Sequence, residues 1–203
     1  MSTVLYLHGF LSSPRSEKVR ILREALEKRA PSVQLIAPDM NYPPRCVDAL
    51  LAEIAERLAL SRCAVVGSSL GGFFATRFAA RFGVPCVLLN PCLDPWRFIP
   101  DFVGEQRVWG SEQVLEVKAS FEEDFRALAR ATPPVLKAGA RSLSLISLRD
   151  EVLPWRQTYD AVSWSRRVLL TDEDHRISGF AQWVDLVVDF LLNSTSGTEA
   201  DEC

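Results

Sequence analysis

The sequence predicts an α/β fold built on one doubly wound, mostly parallel sheet of about six strands. Three observations carry this. Six short runs have strand character, and several are apolar throughout, as suits strands covered on both faces. Segments with apolar residues at helical spacing stand between most of them. The two kinds alternate along the chain, which is the pattern of right-handed βαβ units with parallel strands.

The first strand is Val4–Leu7, and His8-Gly9-Phe10-Leu11 follows it as a short loop. Ser13 and Pro14 read as a helix N-cap and first helical position. They lead to a helix over Glu17–Arg29 with Val19, Leu22, Ala25 and Leu26 on one face. The second strand is Val33–Ala37, and Val47–Leu58 follows with Val47, Leu50, Leu51, Ile54 and Leu58 on one stripe. The third strand, Ala64–Val66, runs straight into Gly67-Ser68-Ser69-Leu70-Gly71, and helical spacing resumes at Phe73, Phe74, Arg77 and Phe78.

The fourth strand is Cys86–Leu89, after which Pro91–Ala140 breaks the rhythm. A structureless loop of that length would be unusual, so helix is expected there, centred on Phe121–Ala131. Its Trp96, Phe98, Phe102, Trp109, Phe121 and Phe125 suit either extra packing on the sheet's flank or a small cap lining an apolar pocket. The last two strands are Leu143–Ser147 and Val168–Leu170, followed by helices over Pro154–Trp164 and Gly179–Leu192 respectively. One domain over 1–193 is expected, and the small polar residues from Asn193 onward predict a disordered tail over 194–203.

With 203 residues the chain suits a single domain with a substantial core. Its 48% apolar and 24% charged residues are those of an ordinary soluble globular protein. A net charge of -3 gives no reason to expect nucleic acid or an anionic membrane as partner. No run is long enough for a membrane span, and no basic region precedes the short apolar start, so neither an integral membrane segment nor a signal peptide is expected. Cys46, Cys63, Cys86, Cys92 and Cys203 are odd in number without a CxxC spacing, which points to a reducing cytoplasm.

Strand, G-x-S-x-G, helix is the context of a nucleophile elbow. Gly67 and Gly71 flank Ser69 at the two offsets where chain segments must approach closely, so Ser69 is the candidate nucleophile and Ser68 is not. A phosphate loop would need lysine where Phe73 and Phe74 stand, and G-S-S-L-G-G does not read as G-x-G-x-x-G. A serine hydroxyl needs a base, and the chain has only His8 and His175. His175 lies between the last strand and the last helix, the place of the base in the α/β-hydrolase order Ser…Asp/Glu…His. Asp150, just past the fifth strand, is the leading acid and Asp94 the second candidate. Asp172 and Asp174 are too near His175 in sequence to orient it easily, and Glu151 is expected to point elsewhere. Backbone N–H groups of Leu70 and Phe10 are the expected oxyanion donors. His8 is expected to brace the loop with Gly9 as a buried, satisfied histidine. No spacing of His and acids supports a metal site, and no cofactor is expected.

The start from Met1 through Phe10, with Ser12-Ser13-Pro14-Arg15-Ser16, resembles that of the bacterial YqiA-type esterases, small α/β-hydrolases without a large cap. Val66–Gly72 is similar to that family's elbow. Asp150–Leu153 with Arg156 and Gln157 resembles its acid loop, and Ser178–Phe180 with Val188–Leu191 its C-terminal segment. The resemblance implies hydrolysis of carboxylic esters or acyl thioesters such as acyl-CoA, with preference for simple acyl groups and no cofactor. The acidic approach Asp172-Glu173-Asp174 to His175 departs from the family, and Trp96–Ala131 matches only loosely. The expectation is thus a cytoplasmic serine esterase or thioesterase acting on a small acyl substrate through an acyl-enzyme. The alternatives are a peptidase or acyltransferase on the same triad, or a binding protein that keeps the fold without catalysis.

Overall fold

The computed structural model describes residues 2–134 and 141–196. The chain runs β1 (Thr3–Leu7), α1 (Glu17–Arg29), β2 (Gln34–Ile36), α2 (Pro44–Glu56), β3 (Cys63–Ser68), α3 (Leu70–Phe82) and β4 (Cys86–Leu89). It continues through β5 (Gly104–Arg107), β6 (Val114–Val117), α4 (Ser120–Arg130), β7 (Ser142–Ser147), α5 (Trp155–Ala161), β8 (Arg166–Leu170) and α6 (Val184–Ser196). The main sheet is parallel throughout, in the order β2-β1-β3-β4-β7-β8.

Alternation along each strand divides the core in two. Leu5 and Leu7 of β1, with Val65 and Leu88, pack toward Val47 and Leu51 of α2 and Phe74 and Phe78 of α3. Val4 and Tyr6, with Val66 and Leu89, pack toward Leu22 of α1 and Val187 and Leu191 of α6. Both faces are therefore covered, which is why β1, β3 and β4 are buried from end to end. From β1 the chain winds outward to β2, then returns through β3 toward β8. The crevice at the carboxyl ends of β1 and β3 is the switch point where such sheets bind ligands.

All six expected strands are present. Several helix ends differ from the sequence reading. Ser16, not Ser13, stands at the N-cap of α1, and Ser13 Oγ accepts the Arg15 N–H in the preceding turn. α2 starts earlier, because Pro44 supplies a preset first turn. α5 is shorter than expected, and Gly179–Leu192 is split into a 3-10 turn at Phe180–Gln182 and α6. α6 also continues to Ser196, past the expected start of the tail; residues 197–203 lie outside the described residues, as does the 135–140 stretch at the end of the long interval.

That interval holds α4 where helix was expected, and an antiparallel hairpin of β5 and β6 that was not. The hairpin is hard to read from sequence because β5 is Gly-Glu-Gln-Arg and only Leu115 and Val117 of β6 face inward. Arg77 of α3 ties α4 to α2. Its guanidinium bonds both carboxylate oxygens of Asp48 at 2.6 and 3.0 Å, the Leu128 carbonyl and Thr132 Oγ1. A buried cation needs that full set of partners, and this explains a charged residue amid the apolar face of α3.

Candidate active site

Ser69 sits between the last residue of β3 and the first of α3, with φ 51° and ψ -120°. An L-residue rarely adopts that conformation, which stores about 1–3 kcal/mol of strain. Surrounding bonds hold it there. Its N–H donates to Leu89 O at 3.0 Å, and its carbonyl accepts the N–H groups of Gly72 at 2.8 Å and Cys92 at 3.0 Å. A side chain on Gly67 would overlap the Gly71 carbonyl, as the motif requires. A side chain on Gly71 would instead collide with the backbone of Leu7 and His8, so this glycine lets the loop after β1 lie against the elbow.

His175 Nε2 lies 3.0 Å from Ser69 Oγ, and His175 Nδ1 lies 2.9 Å from each carboxylate oxygen of Asp150. With a carboxylate at Nδ1, the ring proton resides on Nδ1 and leaves Nε2 as the acceptor of the serine proton. Asp150 is fixed in turn by N–H groups of Val152 at 2.9 Å and Leu153 at 2.7 Å on its Oδ1. Asp94, the second candidate, pairs with Arg97 at 2.6 Å instead. Cys92 lies beside the elbow, but burial, aided by the charges of Asp94 and Asp150, pushes its thiol up to about 12, so it is no competing nucleophile. Among the described residues the four cysteines are free thiols, and no cluster of His, Cys, Asp and Glu could hold a metal ion.

Two groups that hold His175 were missed in the sequence. Glu151 points at His175 after all, but at its backbone: Oε2 accepts the His175 N–H at 2.9 Å. Asn90, buried at the end of β4, donates from Nδ2 to the carbonyls of Asp174 at 3.1 Å and His175 at 2.9 Å and to Ser147 Oγ at 2.8 Å. Its Oδ1 accepts the Ser147 N–H at 2.7 Å, and its φ of 43° aims the amide across the strand ends. Asparagine tolerates that left-handed conformation better than most residues, the one local signal available.

The acids before His175 are each committed elsewhere. Asp172 pairs with Arg149 at 2.7 Å, and Asp174 accepts the Ser178 N–H and hydroxyl. Buried Glu173 accepts the Gly179 N–H and the Trp183 indole N–H, both at 2.9 Å.

On the other side of the crevice, Gly9–Ser12 forms a turn closed by Ser12 N–H to Gly9 O at 3.2 Å, with Leu11 at φ 56°. The N–H groups of Phe10 and Leu70 donate to no protein acceptor among the described residues, which leaves both free for a ligand oxygen. His8 lies beneath. Its Nε2 accepts the Met40 N–H at 3.0 Å, so Nδ1 carries the proton and donates to Gly9 O at 2.9 Å. A lone pair on Nε2 means that the ring is neutral, and its 3.5 Å approach to Asp39 is not an ion pair.

Burial, the largest influence, holds the His8 ring below the ordinary histidine value of 6.5, against the pull of Gly9 O and Asp39. The unfolded chain therefore binds this proton more readily than the folded one. The stability due to neutral His8 is full above about pH 6.5 and is lost as pH falls below it, by at most about 1.4 kcal/mol per pH unit. The stability advantage of wild type over His8→Gln, measured by urea unfolding, should narrow between pH 7.5 and 5. A gap independent of pH would show that His8 is protonated alike in both states.

The chain matches an uncharacterised protein family (UPF0227) over residues 3–192. It belongs to that family. The resemblance of its opening residues to YqiA-type proteins is to this same group. Curated relatives include a UPF0227 protein of Shewanella sp. (strain ANA-3), 29% identical over 78% of this chain and 82% of the relative. Another, from Shewanella loihica, is 34% identical over 73% of this chain and 76% of the relative. Among solved structures, Est1E from Butyrivibrio proteoclasticus with ferulic acid bound superposes with TM-score 0.69 at 15% identity, covering 97% of this chain and 90% of that one. Mouse alpha/beta hydrolase domain-containing protein 10 superposes with TM-score 0.69 at 16% identity, covering 94% of this UPF0227 chain and 89% of its own. At such identities the likeness is one of fold, and the fold is that of the α/β-hydrolases. No described helix of this UPF0227 protein is long and apolar enough to cross a membrane.

Proposed function

We propose that this UPF0227 protein is a serine hydrolase that cleaves carboxylic esters or acyl thioesters through an acyl-enzyme on Ser69. The observation that carries the reading is the unbroken relay from Ser69 Oγ through the His175 ring to Asp150. Ser69 Oγ attacks the acyl carbonyl while His175 Nε2 takes its proton, and the imidazolium formed is stabilised by Asp150. The oxyanion is met by the free N–H groups of Phe10 and Leu70. His175 returns the proton to the leaving alcohol or thiol, and water then releases the acyl group by the same steps. The name of a fold neighbour, acetyl xylan esterase 1 from Thermoanaerobacterium, agrees with ester chemistry. A fluorophosphonate probe should label the protein on Ser69, and p-nitrophenyl acetate should be hydrolysed. Absence of both would refute the reading.

Asn90 is the positioning residue of this scheme. Asn90→Asp places a carboxylate against two carbonyl oxygens and should displace the His175 loop. A loss of about 10²-fold in kcat with little change in KM is expected, since misplacement near 1 Å costs that much. A shifted His175 ring resonance should accompany the loss, and an unaltered kcat in folded Asn90→Asp would remove Asn90 from the scheme.

A further inference from the structure

The hairpin of β5 and β6 and the loop after β2 meet at the turn that carries Phe10. We infer that Asp39 and Asn41 are positioning residues for the Phe10 N–H, as Asn90 is for His175. The inference rests on the reading of Ser69 as the acyl carrier and of Phe10 N–H as an oxyanion donor. The turn lies against the nucleophile itself: a Cβ on Gly9 would stand 3.2 Å from Ser69 Cβ and 3.8 Å from its Oγ. In a trans peptide the N–H of Phe10 points opposite to the carbonyl of Gly9, so whatever fixes the turn aims the donor. Leu11 stands at φ 56°, where an L-residue is strained and relaxes unless its surroundings hold it.

His8 and the Ser12 N–H hold the first half of the turn, both through Gly9 O. The second half is held from elsewhere in the chain. Trp109 N–H donates to Leu11 O at 2.9 Å, and Asn41 Nδ2 donates to Ser12 O at 2.8 Å. Asn41 is buried, and its Nδ2 also donates to Asp39 Oδ1 at 2.7 Å. A carbonyl and a carboxylate can only accept, which fixes the NH₂ end of the amide toward them. Asp39 joins the two supports. Its Oδ1 accepts the Asn41 N–H at 3.0 Å, and its Oδ2 accepts Gln113 Nε2 at 3.1 Å. Gln113 and Trp109 belong to the same turn between β5 and β6, closed by Val108 N–H to Gln113 O at 2.9 Å. The hairpin thus grips the Phe10 turn twice, at Leu11 directly and at Ser12 through Asp39 and Asn41. Burial opposes the charge on Asp39, but the bonds from Asn41 and Gln113 outweigh it and hold the carboxyl below its ordinary value of 3.8. Both oxygens of Asp39 therefore accept at neutral pH.

Asn41→Ala and Asp39→Ala should each lower kcat for p-nitrophenyl acetate by about 10²-fold with KM little changed, as expected for a misplaced oxyanion donor. Inhibition by trifluoroacetone, whose adduct with Ser69 carries an oxyanion, should weaken by the same factor as kcat/KM. The His175 ring resonance should stay where it is in the wild type, because the defect lies across the crevice. Asp39→Asn should recover most of the loss seen in Asp39→Ala. Its Oδ1 still accepts both Asn41 donors, and the Gln113 amide can turn to meet its NH₂. Should an alanine variant at 39 or 41 fail to fold, Gln113→Ala decides: it breaks one bond of the same support and should lose about three- to tenfold in kcat. An unmoved kcat in the folded variants overturns the assignment. So does a fall in kcat/KM without the matching loss of inhibition, or an Asp39→Asn as slow as Asp39→Ala. No fluorophosphonate labelling and no ester hydrolysis by the wild type instead overturns the underlying reading of Ser69.

Discussion

Ser69→Ala is expected to lower kcat for p-nitrophenyl acetate by roughly 10⁴–10⁶-fold, leaving only what the oxyanion donors and binding supply. The expectation follows from geometry that no neighbour can replace. Ser68 ends β3 with its backbone paired in register with Leu89, and it is buried, so it cannot turn toward His175. Ser68→Ala should therefore keep measurable activity. A second consequence concerns stability. Ser69 is held at φ 51° and ψ -120°, a region in which glycine is at ease and other residues are strained by about 1–3 kcal/mol. Ser69→Gly should be inactive yet unfold at a higher temperature than Ser69→Ala. Wild-type turnover by purified Ser69→Ala would refute the nucleophile assignment, and a less stable Ser69→Gly would refute the strain argument.

Asp150→Asn should lower kcat by about 10⁴-fold with the fold intact. The substituted Oδ1 can still accept the N–H groups of Val152 and Leu153, so the turn survives. Its NH₂ group then faces His175 Nδ1, which must become the acceptor, and the ring proton moves to Nε2. A protonated Nε2 cannot take the proton of Ser69. Asp94→Asn should change kcat no more than a few-fold, because Asp94 is engaged with Arg97 in a partly exposed pair. The reverse ranking of the two variants would transfer the role of the acid to Asp94.

Much of this arrangement is written locally. Strand alternation and helical spacing act over a few residues, so all six strands of the sheet were legible. The elbow was legible because Gly67 and Gly71 answer a steric demand within five consecutive positions. The order of serine, acid and histidine along the chain then narrowed the relay to Asp150 or Asp94, with Asp150 favoured. The remainder depends on residues far apart. Asn90 reaches carbonyl groups 84 and 85 positions away, and no periodic pattern marks such a bond. Glu151 was misjudged because its partner is a backbone N–H that only the folded loop presents. The hairpin of β5 and β6 hides in polar, short strands, since two inward side chains leave almost no alternation to detect. Helical spacing can mark Phe121 as an inward residue of α4, but not what it packs against. Those neighbours belong to elements separated along the chain, and they meet it only once α3, α4, β6 and the loop after β1 have packed together.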